Sequence, residues 1–391
     1  MTLAQVDFAV VGRGLMGTAC AWHLAQAGHG VALIGPDEPV EPATHSGPFG
    51  SFHDAGRITR AIARDPVWAR VSARSIARYA DLSERTGIAF YTPCGGLMAG
   101  TSDGPLAHVA TEFLDTAASL GLAHERLSGA DLVARMPMFR LPNGSRAALD
   151  PLGGVIDPRA MRRAHEHAAR AAGAEVIATH ALARNGTDLL LADGRTLSAG
   201  HVVVATGGWA SAAPLTPARP AMEVCLRTIL LAEVTKAEAA RLAGMPSLIY
   251  VTEGGETDHY LLPPLRYPDG KLYIKIGGEA SSPEARDADT LNAWFKTEGS
   301  RAAGAMLHAA LCQVMPDLEI VGTATGACAV TFTSTGLPYV ARLDDAVTLL
   351  TGGNGAGAKC ADELGRLGAV AALGGSVAAE GLGADFAPVF M

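Results

Sequence analysis

Residues Val6 to Val11 (VDFAVV) have the apolar pattern of a buried strand, and a glycine-rich turn follows them. Residues 15–27, rich in Ala and Leu and stopped by Gly28, read as a helix. Val31 to Ile34 is a second short apolar strand, so the chain opens on a β-α-β unit. Residues 36–56 are rich in Pro, Gly, Ser and His and predict a long irregular loop, of the kind that is usually functional in a compact enzyme. Helices are expected over 65–86, 104–120 and 157–172, the last with Asp157 as N-cap and Pro158 in its first turn. Residues 174–177 and 189–191 read as strands, and 201–205 is a buried strand ending in Thr206-Gly207-Gly208-Trp209. Between about 222 and 278 the pattern is strand-rich, with candidates at 228–234, 248–252, 259–262 and 271–277. Their alternation and turn residues predict an antiparallel sheet. Residues 288–314 return to helix. Residues 346–351 form a strand, leading to a glycine-rich turn and a helix at 361–373.

The order of elements predicts an α/β protein that begins and ends with nucleotide-binding elements and carries a β-rich region between them. Its 391 residues suit two connected domains. A discontinuous Rossmann-like domain is expected from 1–85, 145–215 and 322–391. A substrate domain with a mixed or antiparallel sheet and flanking helices is expected from 86–144 and 216–321.

Composition narrows the function. Hydrophobic residues make up 49% and charged residues 18%, which argues against disorder. The formal net charge of −8, without any Lys/Arg-rich run, argues against nucleic acid as a partner. The six cysteines are scattered and form no C-x-x-C pair, so neither a disulfide framework nor a metal site is expected. No run has the length of a membrane helix, and neither end carries a targeting signal, so a cytoplasmic monomer or small homo-oligomer is the expectation.

Gly12-Arg13-Gly14-Leu15-Met16-Gly17 fits G-x-G-x-x-G between a strand and a helix, the context that this dinucleotide fingerprint requires. The first glycine permits the turn, the second lets a pyrophosphate approach, and the third lets helix and strand pack closely. The helix N-terminus supplies N–H groups for phosphate. One feature departs from the pattern. The acid that ends the second strand and binds the adenosine ribose is replaced by Gly35, leaving Asp37, Glu38, a backbone group or water for that contact. The hydrophobic strand ending in Ala205-Thr206-Gly207-Gly208 favours FAD over NAD.

With these motifs the sequence resembles the monomeric sarcosine oxidase and N-methyltryptophan oxidase group, within the D-amino-acid-oxidase-like flavoproteins. The resemblance covers nearly the whole chain and is strongest around 6–60, 200–210, 257–280 and 325–365. It implies FAD contacts at Gly12, Gly14, Leu15, Met16, Gly17, Ile58, Val176, Thr206 and Gly207. In Gly326-Ala327-Cys328 it implies a thioether from Cys328 to the flavin, with Val330 in place of an expected aromatic residue. Gly353, Gly355, Gly357 and Lys359 match the last glycine-rich turn of the family, which packs against the flavin ring. Arg57 takes the position beside the flavin. Arg60 and Lys359 take those that bind a substrate carboxylate, for which a planar guanidinium is suited. Lys275 takes the position over the flavin where a positive charge helps oxygen accept electrons. Tyr260 matches a pocket tyrosine, and Glu279 replaces a pocket histidine.

The implied activity is FAD-dependent oxidation of the C–N bond of an amino acid or N-substituted amino acid to an imine, with oxygen as acceptor and hydrogen peroxide as product. An amino acid dehydrogenase passing electrons to a quinone or carrier shares every nucleotide motif. A non-catalytic FAD-binding subunit of a larger complex is the remaining alternative.

Overall fold

The computed structural model describes residues 3–101, 107–142, 144–211, 214–251, 258–278 and 282–391. Val6–Val11 lies at the centre of an eight-stranded sheet, between Thr196–Val204 and Val31–Ile34, with Glu175–Ile177 beyond. These four strands are parallel, as is Val347–Thr351 on the far side of Thr196–Val204. Parallel strands covered on both faces need nearly continuous apolar runs, which explains sequences such as HVVV and VALI. Tyr339–Arg342, Asp188–Leu191 and Ala181–Asn185 add antiparallel edges.

The helices Leu15–Gln26, Pro158–Ala171 and Ala361–Ala372 share one hydrophobic core with one face of this sheet. Asp157 caps the second of them as expected, its carboxylate accepting from the Arg159 and Ala160 N–H groups. The helix Pro66–Thr86 packs on the same cluster.

A second eight-stranded sheet runs in the order Gly322–Thr333, Met222–Val234, Leu272–Gly277, Asp258–Arg266, Ser247–Val251, Gly96–Gly100, Arg146–Asp150 and Glu125–Ser128. Its pairings are antiparallel except between Ser247–Val251 and Gly96–Gly100. The segments 145–215 and 322–391, grouped with the nucleotide half on sequence, each contribute one strand to this sheet. A short three-stranded sheet, Arg57–Thr59, Gly154–Ile156 and Tyr91–Thr92, lies outside both.

The single helix expected over 288–314 is two helices, Ala288–Phe295 and Arg301–Val314. Gly299 has φ +84° and Ser300 then caps the second helix, so the helical path is broken and restarted there. The helix expected over 104–120 is Val109–Ser119, with 102–106 outside the described residues. The strand Gly322–Thr333 was not expected, because its first eight residues (GTATGACA) contain no large apolar or aromatic side chain to mark a buried strand. All six cysteines are free thiols. Among the described residues no helix is long and apolar enough to cross a membrane, and no cluster of three or more His, Cys, Asp or Glu is placed to hold a metal ion.

Candidate active site

The fingerprint turn is a close-packed object. Gly12 has φ +119°, and a Cβ there would lie 2.2 Å from the Ala205 carbonyl oxygen. A Cβ on Gly17 would lie 1.8 Å from the Gly12 carbonyl oxygen. These two glycines let the helix Leu15–Gln26 start directly against the parallel strands. Gly14 caps that helix without a side-chain hydrogen bond, so its first-turn N–H groups remain available to a phosphate.

A cavity of about 610 Å³ opens above this turn, within the range of small-molecule sites. Gly12, Gly14, Leu15 and Met16 border it from the fingerprint. Thr206 and Gly207 border it from the adjacent strand end, and Gly353, Gly355 and Gly357 from the last glycine-rich turn. Arg57 and Cys328 complete the set. Gly17 is a packing residue behind this wall. Ile58 and Val176 do not border the cavity. Ile58 pairs with Val155, and Val176 packs into the hydrophobic core beside Leu33. The residues beyond that strand, His180, Ala181 and Leu182, reach the cavity instead.

The chain fits an FAD here on two observations. The Thr206 hydroxyl is buried at the cavity wall and has no hydrogen-bond partner among the described residues. At Gly14 and Gly355 the nearest atoms to an added Cβ are 3.8 and 4.0 Å away, so backbone lies open to a ligand.

The missing ribose acid has a steric cause. A Cβ on Gly35 would lie 2.3 Å from the Arg13 Cβ, so no side chain fits at the strand end. The Arg13 guanidinium donates to Glu166 (Nε–Oε2 2.7 Å, Nη2–Oε1 2.8 Å) and to Asp37 (Nη1–Oδ1 2.5 Å). Against the opposing effect of burial, Arg13, Arg162 and Arg170 hold Glu166 down to about 2. Glu38 is engaged by Arg159 and Arg162 (2.9 and 3.1 Å). Asp37 remains 73% exposed and borders the cavity. Of the two acids, Asp37 is therefore the one placed to accept from a ribose hydroxyl. Asp37→Ala is expected to weaken FAD binding by the apoprotein roughly 5- to 10-fold, the value of about one hydrogen bond, and Glu38→Gln to leave it nearly unchanged. Fluorescence titration with FAD measures both.

The strand Gly322–Thr333 and the last glycine-rich turn are tied together. Asn354 Oδ1 accepts from Thr333 N at 2.9 Å, the Asn354 N–H donates to Thr331 O at 2.9 Å, and the Gly353 N–H donates to Thr331 Oγ1 at 3.2 Å. Cys328, Val330 and the three glycines thus face one cavity. The neighbouring backbone is fixed by Trp294 Nε1 donating to Cys328 O (2.7 Å) and Ser51 Oγ donating to Ala329 O (2.8 Å). Arg57 Nη2 donates to Ser51 O at 2.5 Å and lies 3.6 Å from Cys328 Sγ.

Lys275 is fully buried, not turned to solvent as simple alternation also allowed. Its strand neighbours Ile274 and Ile276 enter the core of the second sheet, so the period of two sends Lys275 to the opposite face. There its Nζ meets Asp54 Oδ2 at 2.5 Å and Gly56 O at 2.9 Å, and lies 5.6 Å from the Tyr260 ring centroid. Asp54 also pairs with Arg57. Sequence reasoning missed Asp54, although a carboxylate three residues before an arginine in an irregular loop was a signal.

Lys275, Tyr260, Arg60 and Lys359 all lie outside the cavity wall, the last two close enough together that the Arg60 charge acts on Lys359. The Arg60 guanidinium donates to Ile62 O and lies 5.1 Å from the Phe113 ring centroid. Lys359 Nζ donates to Ser72 Oγ (2.8 Å), lies 3.6 Å from Cys360 Sγ and sits 5.9 Å from the Trp68 ring centroid. Burial lowers Lys359 to about 8, with Cys360 opposing and Arg60 adding to the fall. Glu279 lies outside the described residues.

Known proteins agree with this architecture. Monomeric sarcosine oxidase from Bacillus sp. (strain B-0618) is 29% identical over 212 residues, 52% of this chain and 52% of the relative. Peroxisomal sarcosine oxidase from Homo sapiens is 25% identical over 294 residues, 73% of this chain and 72% of the relative. The matched stretch spans only 40% of the length of the Mus musculus peroxisomal sarcosine oxidase. Among solved structures, the open form of NikD, an unusual amino acid oxidase essential for nikkomycin biosynthesis, superposes with a TM-score of 0.74 at 20% identity, covering 99% of this chain and 98% of that one. Glycine oxidase from Bacillus cereus ATCC 14579 gives 0.71 at 18% identity, covering 94% and 95%. Both likenesses concern the fold, a Rossmann-type FAD domain joined to a second sheet. A family model described as FAD dependent oxidoreductase matches residues 7–370, and the chain belongs to that family.

Proposed function

We propose that this enzyme oxidises the C–N bond of an amino acid or N-substituted amino acid to an imine, with dioxygen as acceptor and hydrogen peroxide as product. One observation carries the reading. Arg57 and Cys328 border the same cavity as the dinucleotide fingerprint, and the buried Lys275 is joined to Arg57 through Asp54. The names of several relatives, sarcosine oxidase and N-methyl-L-tryptophan oxidase, point to carboxylated amines as substrates.

Bound FAD supplies the two-electron chemistry, which no side chain provides. The chain supplies position and charge. Arg60 and Lys359 take the substrate carboxylate, exchanging their present contacts with Ile62 O and Ser72 for a charged partner. Tyr260, whose ring centroid lies 5.6 Å from Lys275 Nζ, contributes to the substrate pocket, and Lys275 places positive charge where dioxygen accepts electrons.

Covalent attachment of FAD through Cys328 belongs to the same proposal. A guanidinium 3.6 Å from a buried sulfur is a setting in which cysteines react. The test is a visible spectrum before and after acid precipitation. Flavin bands are expected in the pellet of the native protein and wholly in the supernatant for Cys328→Ser, with both proteins yellow beforehand. A native pellet without flavin overturns the link. A protein that takes up no FAD, or forms no peroxide with any N-methylated, primary or cyclic amino acid, overturns the wider reading.

A further inference from the structure

Lys275 carries a physical problem that the oxidase reading does not solve. Its ammonium is fully buried, and burial and the nearby Arg57 guanidinium push it well below the usual lysine range. A lysine in such a place without a counter-ion becomes neutral, and a neutral amine gives dioxygen no electrostatic help.

The groups that face it are few. Asp54 and the Gly56 carbonyl approach from the loop, Arg57 from the short strand that follows, Cys328 from the strand Gly322–Thr333, and the Tyr260 ring from the neighbouring strand. Tyr267 acts one step removed, its hydroxyl donating to Asp54 Oδ1 at 3.0 Å. The second contact on that oxygen is the Ala55 N–H at 2.7 Å. The Asp54 side chain is only 5% exposed and its other oxygen, Oδ2, touches Lys275 and Arg57 together. A buried carboxylate held by two basic side chains, a phenol and a backbone N–H is fixed in place.

We propose that Asp54 is a positioning residue that keeps Lys275 protonated, so that the charge beside the redox site depends on this loop carboxylate. The proposal rests on the oxidase reading for its consequence, but the pair itself can be tested without it. One carboxylate shared between two cations leaves a single net positive charge on the cluster. Asp54→Asn keeps the shape, and its side-chain oxygen still accepts from Tyr267, yet it removes the counter-ion.

The chain contains five lysines, Lys236, Lys271, Lys275, Lys296 and Lys359. Carbon-13 labelling of lysine, with Lys275→Met for assignment, therefore gives a simple NMR spectrum. In the native full-length protein, with and without FAD, the Lys275 signal is expected to be that of an ammonium at pH 7. In Asp54→Asn its midpoint is expected to fall by about three pH units, the scale reached by buried lysines, so that it is neutral at pH 7. A neutral Lys275 in the native protein, or an unmoved midpoint in Asp54→Asn, overturns the proposal. If Asp54→Asn does not fold, Asp54→Glu serves: it is expected to keep Lys275 charged at pH 7, and a neutral Lys275 there overturns the proposal.

In the FAD-loaded enzyme, reoxidation by dioxygen in Asp54→Asn is expected to fall at pH 7 towards the rate of Lys275→Met and to recover as pH is lowered. A pH-independent loss indicates a structural role only and overturns the proposal. Failure of FAD uptake defeats the oxidase reading alone, because the NMR titration reports on Asp54 and Lys275 either way.

Discussion

Lys275→Met slows reoxidation of the reduced enzyme by dioxygen by roughly 10²- to 10³-fold, while anaerobic reduction by substrate stays nearly unchanged; stopped-flow mixing separates the two half-reactions. The magnitude is that of removing one preorganised electrostatic stabiliser from a site closed to water. Lys275 meets that description, with 0% side-chain exposure and an ion pair to Asp54 at 2.5 Å. Met fills a similar volume, and Asp54 keeps its pairing with Arg57, so no buried charge is left uncompensated. The loss is therefore expected in rate rather than in folding. A change of less than about tenfold would sink the assignment of Lys275 as the oxygen-activating group and shift weight to a dehydrogenase using another acceptor.

Arg60→Gln is expected to lower kcat/KM for carboxylated amines by roughly 10- to 100-fold, the scale of a hydrogen bond to a charged group. A matching amine without the carboxylate should lose little. The partner cation adds a pH signature. Lys359 lies at about 8 in the free protein, so its positive charge declines as pH rises through that value. Carboxylate binding should weaken in the same window, giving a fall in kcat/KM above about pH 8 that is absent in Lys359→Met. Equal losses for substrates with and without a carboxylate would remove both residues from the binding role.

Asp54, Lys275 and Arg57 show why net charge at this site cannot be counted from the motif alone. The arginine and lysine stand at positions that the family resemblance picks out. The acid between them follows no motif, yet it decides how much positive charge the pair presents. The same holds at the other end of the cavity. Gly35 looks like the loss of a ribose ligand, but Arg13 occupies the space its side chain would need, and Asp37 is carried to the cavity rim by the same guanidinium.

What the sequence determined by itself is local. Val6–Val11, Val31–Ile34 and the helix between them were legible because apolar runs, a glycine turn and a helix stop lie within the 29 consecutive residues 6–34, where backbone sterics act. The same is true of the Asp157 cap. The small-residue strand Gly322–Thr333 was not legible, because its stability comes from a twelve-residue ladder with Met222–Val234 rather than from its own propensity. The helix break at Gly299 was missed because one left-handed residue outweighs apolar periodicity on either side. Only the tertiary structure decided that Lys275 faces Asp54 rather than water, that Arg57 reaches Cys328, and that Val176 and Ile58 stand behind the cavity wall. Those outcomes depend on groups separated by up to 271 residues along the chain, and on the energetic cost of burying a charge without a partner, which sequence pattern does not encode.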